Sequence, residues 1–412
     1  MVNRRVFLCS AAIGLADGQA PTVPPAIRDL RPMTDGIQPI TREQRRARME
    51  KARRLMRENK LGAIFLEGGS SLFYFTGVRW STSDATVGLV MPERGEPVWI
   101  VQASEEKKAQ EVLPSGADVR MWKEVDGPFK QIAGVFKERG ASAGRVGIEE
   151  RVRFSVFDGI RKEAPAVDYV SADPVTAGCR MIKSPSEIAL MQRANDITIA
   201  AYRAALATLR EGMTQFELRN AVVSAYRALG AQGNVAVSFG KYTAFPHGSI
   251  QPQKLQEGDL VLLDDGCSID GYQSDITRTT IFGKPTERQR QIWSLERKAQ
   301  DAAFAAAKPG ATCESVDAAA RKVITDFGFG PDYKVPGLPH RTGHGIGFDI
   351  HEWTYLVRGN KTRLAPGMCF SDEPMIVIYG EFGVRLEDCI YITPDGARFF
   401  SKQSPAIDQP FG

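Results

Sequence analysis

The chain has 412 residues, 53 basic and 49 acidic, with a formal net charge of +4; 43% are hydrophobic and 25% charged. That length suits two domains behind a leader segment, and the balance is that of an ordinary globular protein, not a disordered, fibrous or solenoid one. Charges of both signs are interspersed without a basic stripe, so no nucleic-acid surface is expected, and no apolar stretch reaches the roughly 20 residues that span a bilayer.

The first twenty residues combine a basic start, an apolar stretch from Val6 to Ala16 and small residues before Pro21. This predicts an export signal over 1–20, and Arg4-Arg5-x-Phe-Leu resembles the twin-arginine type, whose cargo crosses the membrane folded. The location implied is periplasmic or exported; the alternative reading is a frayed tail on a cytoplasmic protein. Residues 21–40 hold five prolines and little periodicity, which reads as a linker or a strap over the surface. From Arg42 to Arg54, arginines sit among helix formers with Met49 and Leu55 at helical spacing, which predicts a solvated amphipathic helix.

Residues 41–179 read as an α/β domain. GAIFL, LFYFTG, VGLVM and PVWIVQA are short apolar strands, whereas Glu105 to Leu113 and Pro128 to Arg139 carry helical patterning. Lys183-Ser184-Pro185-Ser186-Glu187 then marks a helix start, with Ser184 as N-cap, Pro185 at N1 and Glu187 closing a capping box. The six cysteines include no CxxC pair, and they suit small buried hydrophobes better than a disulfide framework.

Residues 180–412 contain an internal echo. Residues 201–230 read helix, Gly212-x-Thr214-x-x-Glu217, helix; residues 303–328 repeat the plan with Gly310-x-Thr312 at an offset of 98. Apolar strands with a pair of acids follow each copy: Asp264 and Asp275, then Glu373 and Glu387. A duplicated α+β unit with one acidic pair per half predicts a site on a pseudo-twofold axis.

In LVLLDDGCSIDGYQSDITRTTIF, Asp270-Gly271 is a hairpin signal. If those two residues form the turn, Ile269 faces Tyr272 and Gly266 faces Asp275, which puts Asp264 and Asp275 on one face as diagonal neighbours. A three-residue loop would instead set Asp265 opposite Asp275, and the alternation leaves both open. In FSDEPMIVIYGEFGVRLEDCIYI, a loop centred on Gly380 sets Glu373 opposite Glu387. Like charges facing each other on apolar strands are destabilising unless a cation lies between them, so the pairs argue for a hard or borderline metal. Of four histidines, His340, His344 and His351 fall in PHRTGHGIGFDIHEW and His247 in FPHGS. His344 and His351 would point apart on a straight strand, but a bulge at 345–347 would bring both to the centre. The zincin HExxH pattern is absent.

LLDDGCSIDGYQSDITRT, HRTGHGIGFDIHE, DEPM and GVRLED resemble the metal-site motifs of the pita-bread peptidases: prolidase, aminopeptidase P and methionine aminopeptidase. The resemblance spans residues 180 to about 400, and the α/β domain before it is similar to the N-terminal domain of the prolidase and creatinase branch. Met375 departs from the glycine usual after Glu-Pro, and Thr354 stands where prolidases tend to have proline; both are expected near the substrate side.

The resemblance implies that Asp264, Asp275, His344, Glu373 and Glu387 hold two divalent ions, with Asp275 and Glu387 bridging. It implies that Glu373 moves the proton between water and leaving nitrogen, and that His351 and His247 bind the carbonyl oxygen and shape the proline side. Arg385 is expected to orient Glu387, or else to pair with a substrate carboxylate; His340 fits substrate contact as well as a supporting bond. Manganese suits one imidazole among four carboxylates, with cobalt or zinc as alternatives. The activity implied is that of an Xaa-Pro dipeptidase or Xaa-Pro aminopeptidase on proline-containing peptides, acting as a homodimer. The competing readings are a metal-independent creatinase-like C–N hydrolase, disfavoured by the filled ligand positions, and an inactive peptidase-like binding module.

Overall fold

The computed structural model describes residues 24–412; the leader expected over 1–20, with Cys9, lies outside them. From Pro24 to Ile40 the chain is a strap. Its short helix Pro25–Arg28 buries Ile27, the Met33 N–H donates to Leu229 O at 2.9 Å, and the Ile40 N–H donates to the Asp270 carboxylate at 3.1 Å. The helix Arg42–Glu58 follows, capped by the reciprocal Thr41–Gln44 box. It is less solvated than its composition suggests: Arg48, Ala52 and Met56 are buried, and Arg48 pairs with Glu187 at 3.1 Å.

Six strands form the first sheet: β1 Leu61–Glu67, β2 Gly88–Pro92, β3 Val98–Gln102, β4 Asp118–Trp122, β5 Arg145–Ile148 and β6 Asp168–Ser171, in the order β4-β3-β2-β1-β5-β6. β1 pairs parallel with β5 and antiparallel with β2. Its side chains alternate between two cores, Ala63 and Phe65 packing with Ile132 and Phe136, and Ile64 and Leu66 with Met56 and Val175. A strand covered on both faces reads as the continuous apolar run GAIFL. LFYFTG, expected as a strand, is a helix, Ser70–Thr76, between Gly69 and a left-handed Gly77. Ser71 to Phe75 are all buried, so the run carries no periodicity, and aromatic content alone favoured the wrong element.

The second half shows the expected duplication. Helices Pro185–Leu206 and Gln215–Ala228 precede the first group of strands, and Glu287–Ala306 and Cys313–Asp326 precede the second. The backbone repeats in detail. The Gly212 N–H donates to Leu255 O and Leu255 N–H to Met213 O; one repeat on, Gly310 N–H donates to Leu364 O and Leu364 N–H to Ala311 O, all at 2.8 Å.

The first half contributes β7 Gln232–Gly233, β8 Ala236–Phe239, β9 Leu260–Asp264, β10 Cys267–Ile269, β11 Tyr272–Gln273 and β12 Arg278–Ile281. The second contributes β13 Gly343–Gly345, β14 Glu352–Leu356, β15 Cys369–Asp372, β16 Met375–Ile378, β17 Phe382–Arg385, β18 Asp388–Thr393 and β19 Gly396–Phe399. The halves are stitched where the acidic residues lie: the Glu387 N–H donates to Thr277 O at 3.1 Å and Thr279 Oγ1 donates to Arg385 O at 2.7 Å. The five described cysteines are buried and free, and no described helix is long and apolar enough to cross a membrane.

Candidate metal centre

Asp270 and Gly271 both have positive φ, 48° and 92°, as the two central residues of a type I′ hairpin require. Ile269 pairs with Tyr272, and the same register continues into the β9–β12 ladder, where Leu263 meets Arg278. Gly266 therefore stands opposite Asp275, and the three-residue loop is not adopted. Between the ladders Asp265 is strained at φ 119°, its carboxylate accepting from the Gly266 N–H at 2.8 Å. In the second half Asp372 pairs with Asp388 and Met375 with Arg385, so Glu373 and Glu387 face each other in the step between those pairs.

The pairing of β13 with β14 shifts register between His344 and Gly345. That irregularity is the one needed to turn the histidines inward: the His344 and His351 rings meet edge to face with centroids 4.1 Å apart. His344 Nε2 lies 3.2 Å from Glu373 Oε1 and 3.5 Å from Asp275 Oδ2, while its Nδ1 faces Gly345 O at 3.1 Å. A ring whose Nδ1–H is taken by a carbonyl turns the lone pair of Nε2 toward the carboxylates.

Three sets of donors have atoms within 4.8 Å of one another: Asp264, Asp275 and Glu387; His344, Glu373 and Glu387; and Asp275, His344 and His351. Asp275, Glu373, Glu387 and His344 are buried. Four carboxylates against the guanidinium of Arg385 leave three negative charges uncompensated. Burial raises the Asp275 and Glu387 carboxyls, the neighbouring carboxylates adding to the effect, and Glu387 Oε1 is buried without a hydrogen-bond partner. A cluster that draws protons this strongly, with a buried carboxylate oxygen left unpartnered, fits divalent cations.

Arg385 reaches Asp264 directly, not Glu387, and its Nε–H donates to Thr277 Oγ1 at 3.0 Å. Thr277 Oγ1 lies 2.5 Å from Asp264 and 2.6 Å from Glu387, so the arginine is linked to Glu387 by hydrogen bonds only through this hydroxyl. Sequence reasoning missed Thr277, although it stands two residues past Asp275 on the same strand face. His247, His340 and His351 line one cavity of about 500 Å³ with the acidic cluster. His340 Nδ1 faces Arg341 O at 2.6 Å, and its Nε2 is without a partner. Asp265 and Arg341 also line this cavity; the sequence marks Asp265 only as an alternative partner of Asp275, and Arg341 carries no signal in it. Met375 and Thr354, expected near the substrate, are instead buried and lie outside the lining: Met375 belongs to the apolar core of the second half, and Thr354 Oγ1 accepts from Asn360.

Residues 189–394 match the model of metallopeptidase family M24, and residues 48–182 match the creatinase/prolidase N-terminal domain. The chain belongs to metallopeptidase family M24. Among M24 relatives, it is 32% identical to an Xaa-Pro dipeptidase of Pyrococcus furiosus, over 86% of this chain and 97% of that one. It is equally 32% identical to an Xaa-Pro dipeptidase of Lactobacillus delbrueckii subsp. lactis, over 87% and 98%. The crystal structure of dipeptidase PepE from Mycobacterium ulcerans superposes with a TM-score of 0.80 at 32% identity, covering 87% of this chain and 95% of that one. The M24 half is thus a pita-bread domain behind a creatinase-like one, as the motifs imply.

Proposed function

We propose that the protein is an Xaa-Pro dipeptidase, a metal-dependent exopeptidase that hydrolyses the bond between an N-terminal residue and proline. The observation that carries this reading is the convergence of four carboxylates and His344, from both duplicated halves, on one wall of a cavity of about 500 Å³. That volume is in the range of small-ligand sites, and the relatives matched over nearly their whole length are named Xaa-Pro dipeptidases.

Asp264, Asp275, His344, Glu373 and Glu387 would hold two divalent cations. One imidazole among four carboxylates favours manganese over cobalt or zinc. When bound, such cations lower the pKa of a water and polarise the scissile carbonyl.

Glu373 is the proton carrier. Burial alone would raise its carboxyl, but His344, His340 and Arg385 hold it below the ordinary value, so it is ionised and able to take a proton. It then gives that proton to the proline nitrogen, which leaves poorly until protonated. Burial pushes His351 down to about 4, so at neutral pH it offers an uncharged N–H to the carbonyl oxygen, with His247 lining the same cavity. His340 leaves its buried Nε2 unpartnered on the cavity wall, where it can meet a polar group of the substrate. Arg385 is engaged by Asp264, Thr277 and Pro246 O, with Glu373 4.0 Å away. Arg341, lining the cavity with its guanidinium 4.4 Å from the Tyr355 ring centroid, takes the substrate's terminal carboxylate.

The twin-arginine-like leader supports export of the folded enzyme, and fractionation of cells expressing the full chain tests that. The activity is tested by comparing Xaa-Pro dipeptides with Xaa-Pro-Yaa tripeptides, before and after chelation and manganese re-addition. Chelator-sensitive cleavage of the dipeptides is expected. Preference for tripeptides would make the protein an aminopeptidase, and inactivity on both would overturn the peptidase reading.

A further inference from the structure

The loop between β13 and β14 carries His351, and its anchors lie in the other domain. Among the described residues no hydrogen bond holds the His351 ring, which packs edge to face on His344, so its place depends on the loop backbone that carries it. Two carboxylates, Asp349 in this loop and Glu352 at the start of β14, lie outside the cavity lining. Asp349 accepts from Ser70 Oγ at 2.5 Å and from Arg180 at 2.5 Å, with Arg151 3.3 Å away. Glu352 accepts from Arg180 Nε at 3.1 Å and Lys183 Nζ at 3.1 Å, and closes the loop on itself by accepting from the Phe348 N–H at 2.6 Å and the Asp349 N–H at 3.0 Å.

Ser70 and Arg151 belong to the N-terminal α/β domain, and Arg180 closes the helix Asp173–Arg180 within the residues 48–182 that match that domain's model, one position beyond the boundary expected from sequence. Phe348 adds an apolar anchor, its ring 5.0 Å from Phe73 of that domain and 5.0 Å from Tyr272 of the hairpin. Arg180, Lys183 and Glu352 are buried. Two loop carboxylates thus meet two buried cations, a balanced arrangement that gives a unique geometry because each partner's other bonds are also met.

We propose that the N-terminal domain positions His351 through this clamp, with Arg180, Ser70 and Asp349 as positioning residues. None of these three lines the catalytic cavity, so they act only through the loop. The N-terminal domain is on this account part of the catalytic apparatus. A displacement of about 1 Å at a reacting group costs on the order of a hundredfold in rate, so the clamp is worth that much to turnover without touching substrate.

The inference rests on the peptidase reading, and its test separates the two. Asp349→Asn and Ser70→Ala are introduced into the full chain, each alone and together with His351→Ala. Turnover of an Xaa-Pro dipeptide, bound metal and amide exchange over 346–351 are then measured. Expected for Asp349→Asn are a kcat lower by about tenfold to a hundredfold, unchanged KM and metal content, and faster exchange in that segment. Ser70→Ala, which removes one bond of the clamp, shifts each in the same direction by less. Neither substitution should cost much more once His351 is alanine, because residues acting as a unit are not additive. Arg180→Lys keeps the charge but cannot reach both carboxylates, and the same pattern there guards against an Asp349→Asn variant that fails to fold. Unchanged kcat, or an equal fold-loss in the His351→Ala background, overturns the proposal. Where His351→Ala turnover is too slow to measure, unchanged exchange over 346–351 overturns it. A wild-type chain inactive on Xaa-Pro peptides sinks the peptidase reading alone, since exchange still reports on the clamp.

Discussion

Arg278 of β12 donates to Asp388 of β18 at 2.7 Å, and both side chains are wholly out of solvent. The pair joins the two duplicated halves one residue behind Thr277 and Glu387, with Arg278 also donating to Glu387 O at 2.9 Å and Gln300 to the second oxygen of Asp388 at 3.1 Å. Removing one partner of such a pair leaves the other charge buried and unmatched. Asp388→Ala is expected to lower unfolding stability by about 3–5 kcal/mol, read as a shift of the urea midpoint; a shift within error would show that the pair does not couple the halves.

Cations that bind the folded chain and not the unfolded one stabilise it by mass action, by about 2.7 kcal/mol at a hundredfold excess over Kd. EDTA should therefore lower the melting temperature and manganese should restore it. In Asp264→Ala, which loses a carboxylate of one donor set, the gap between the two conditions should narrow. An EDTA-insensitive melting temperature in the wild-type chain would contradict a metal centre.

Asp275 belongs to two of the three donor sets. Asp275→Asn keeps the shape and loses the charge, so circular dichroism should stay native while turnover drops by at least the roughly hundredfold that loss of even an outer partner can cause. Wild-type turnover in this variant would remove Asp275 from the proposed metal-binding set.

Arg341→Met should raise KM for Xaa-Pro dipeptides on the order of tenfold or more, the loss of a charge-assisted hydrogen bond of about 1.5–3 kcal/mol, and leave KM for the matching Xaa-Pro amides unchanged. Equal effects on acid and amide would mean that the arginine does not meet the terminal carboxylate.

Burial would raise the Glu352 carboxyl, yet Arg180 and Lys183 more than offset it and hold it at about 2, against an ordinary 4.5. A carboxyl depressed in the folded state contributes stability that is fully present above 4.5 and is lost as the pH falls toward 2, because the unfolded chain takes up its proton first. Thermal unfolding across that window should steepen in the wild type and flatten in Glu352→Gln. Parallel curves would show that the clamp carries no linked proton.

The duplication, the two acidic pairs and the inward histidines were legible in the chain because each depends on short-range pattern. A repeated helix–turn–helix at a fixed offset, an Asp-Gly turn that sets register, and a loop centred on Gly380 are local facts, and strand register carries them several residues further. LFYFTG was misread because burial on every side erases the periodicity that tells helix from strand.

What tertiary structure alone decided is which side chains meet across halves and domains. Arg385 finds Asp264 rather than Glu387, Met375 and Thr354 turn into the core, and Arg180 and Ser70 hold a loop some 170 to 280 residues away in the chain. Turn chemistry and alternation constrain neighbours along the backbone. Pairings between distant residues are selected by packing and by the cost of leaving a buried charge unmatched, and that cost exists only once the fold has closed.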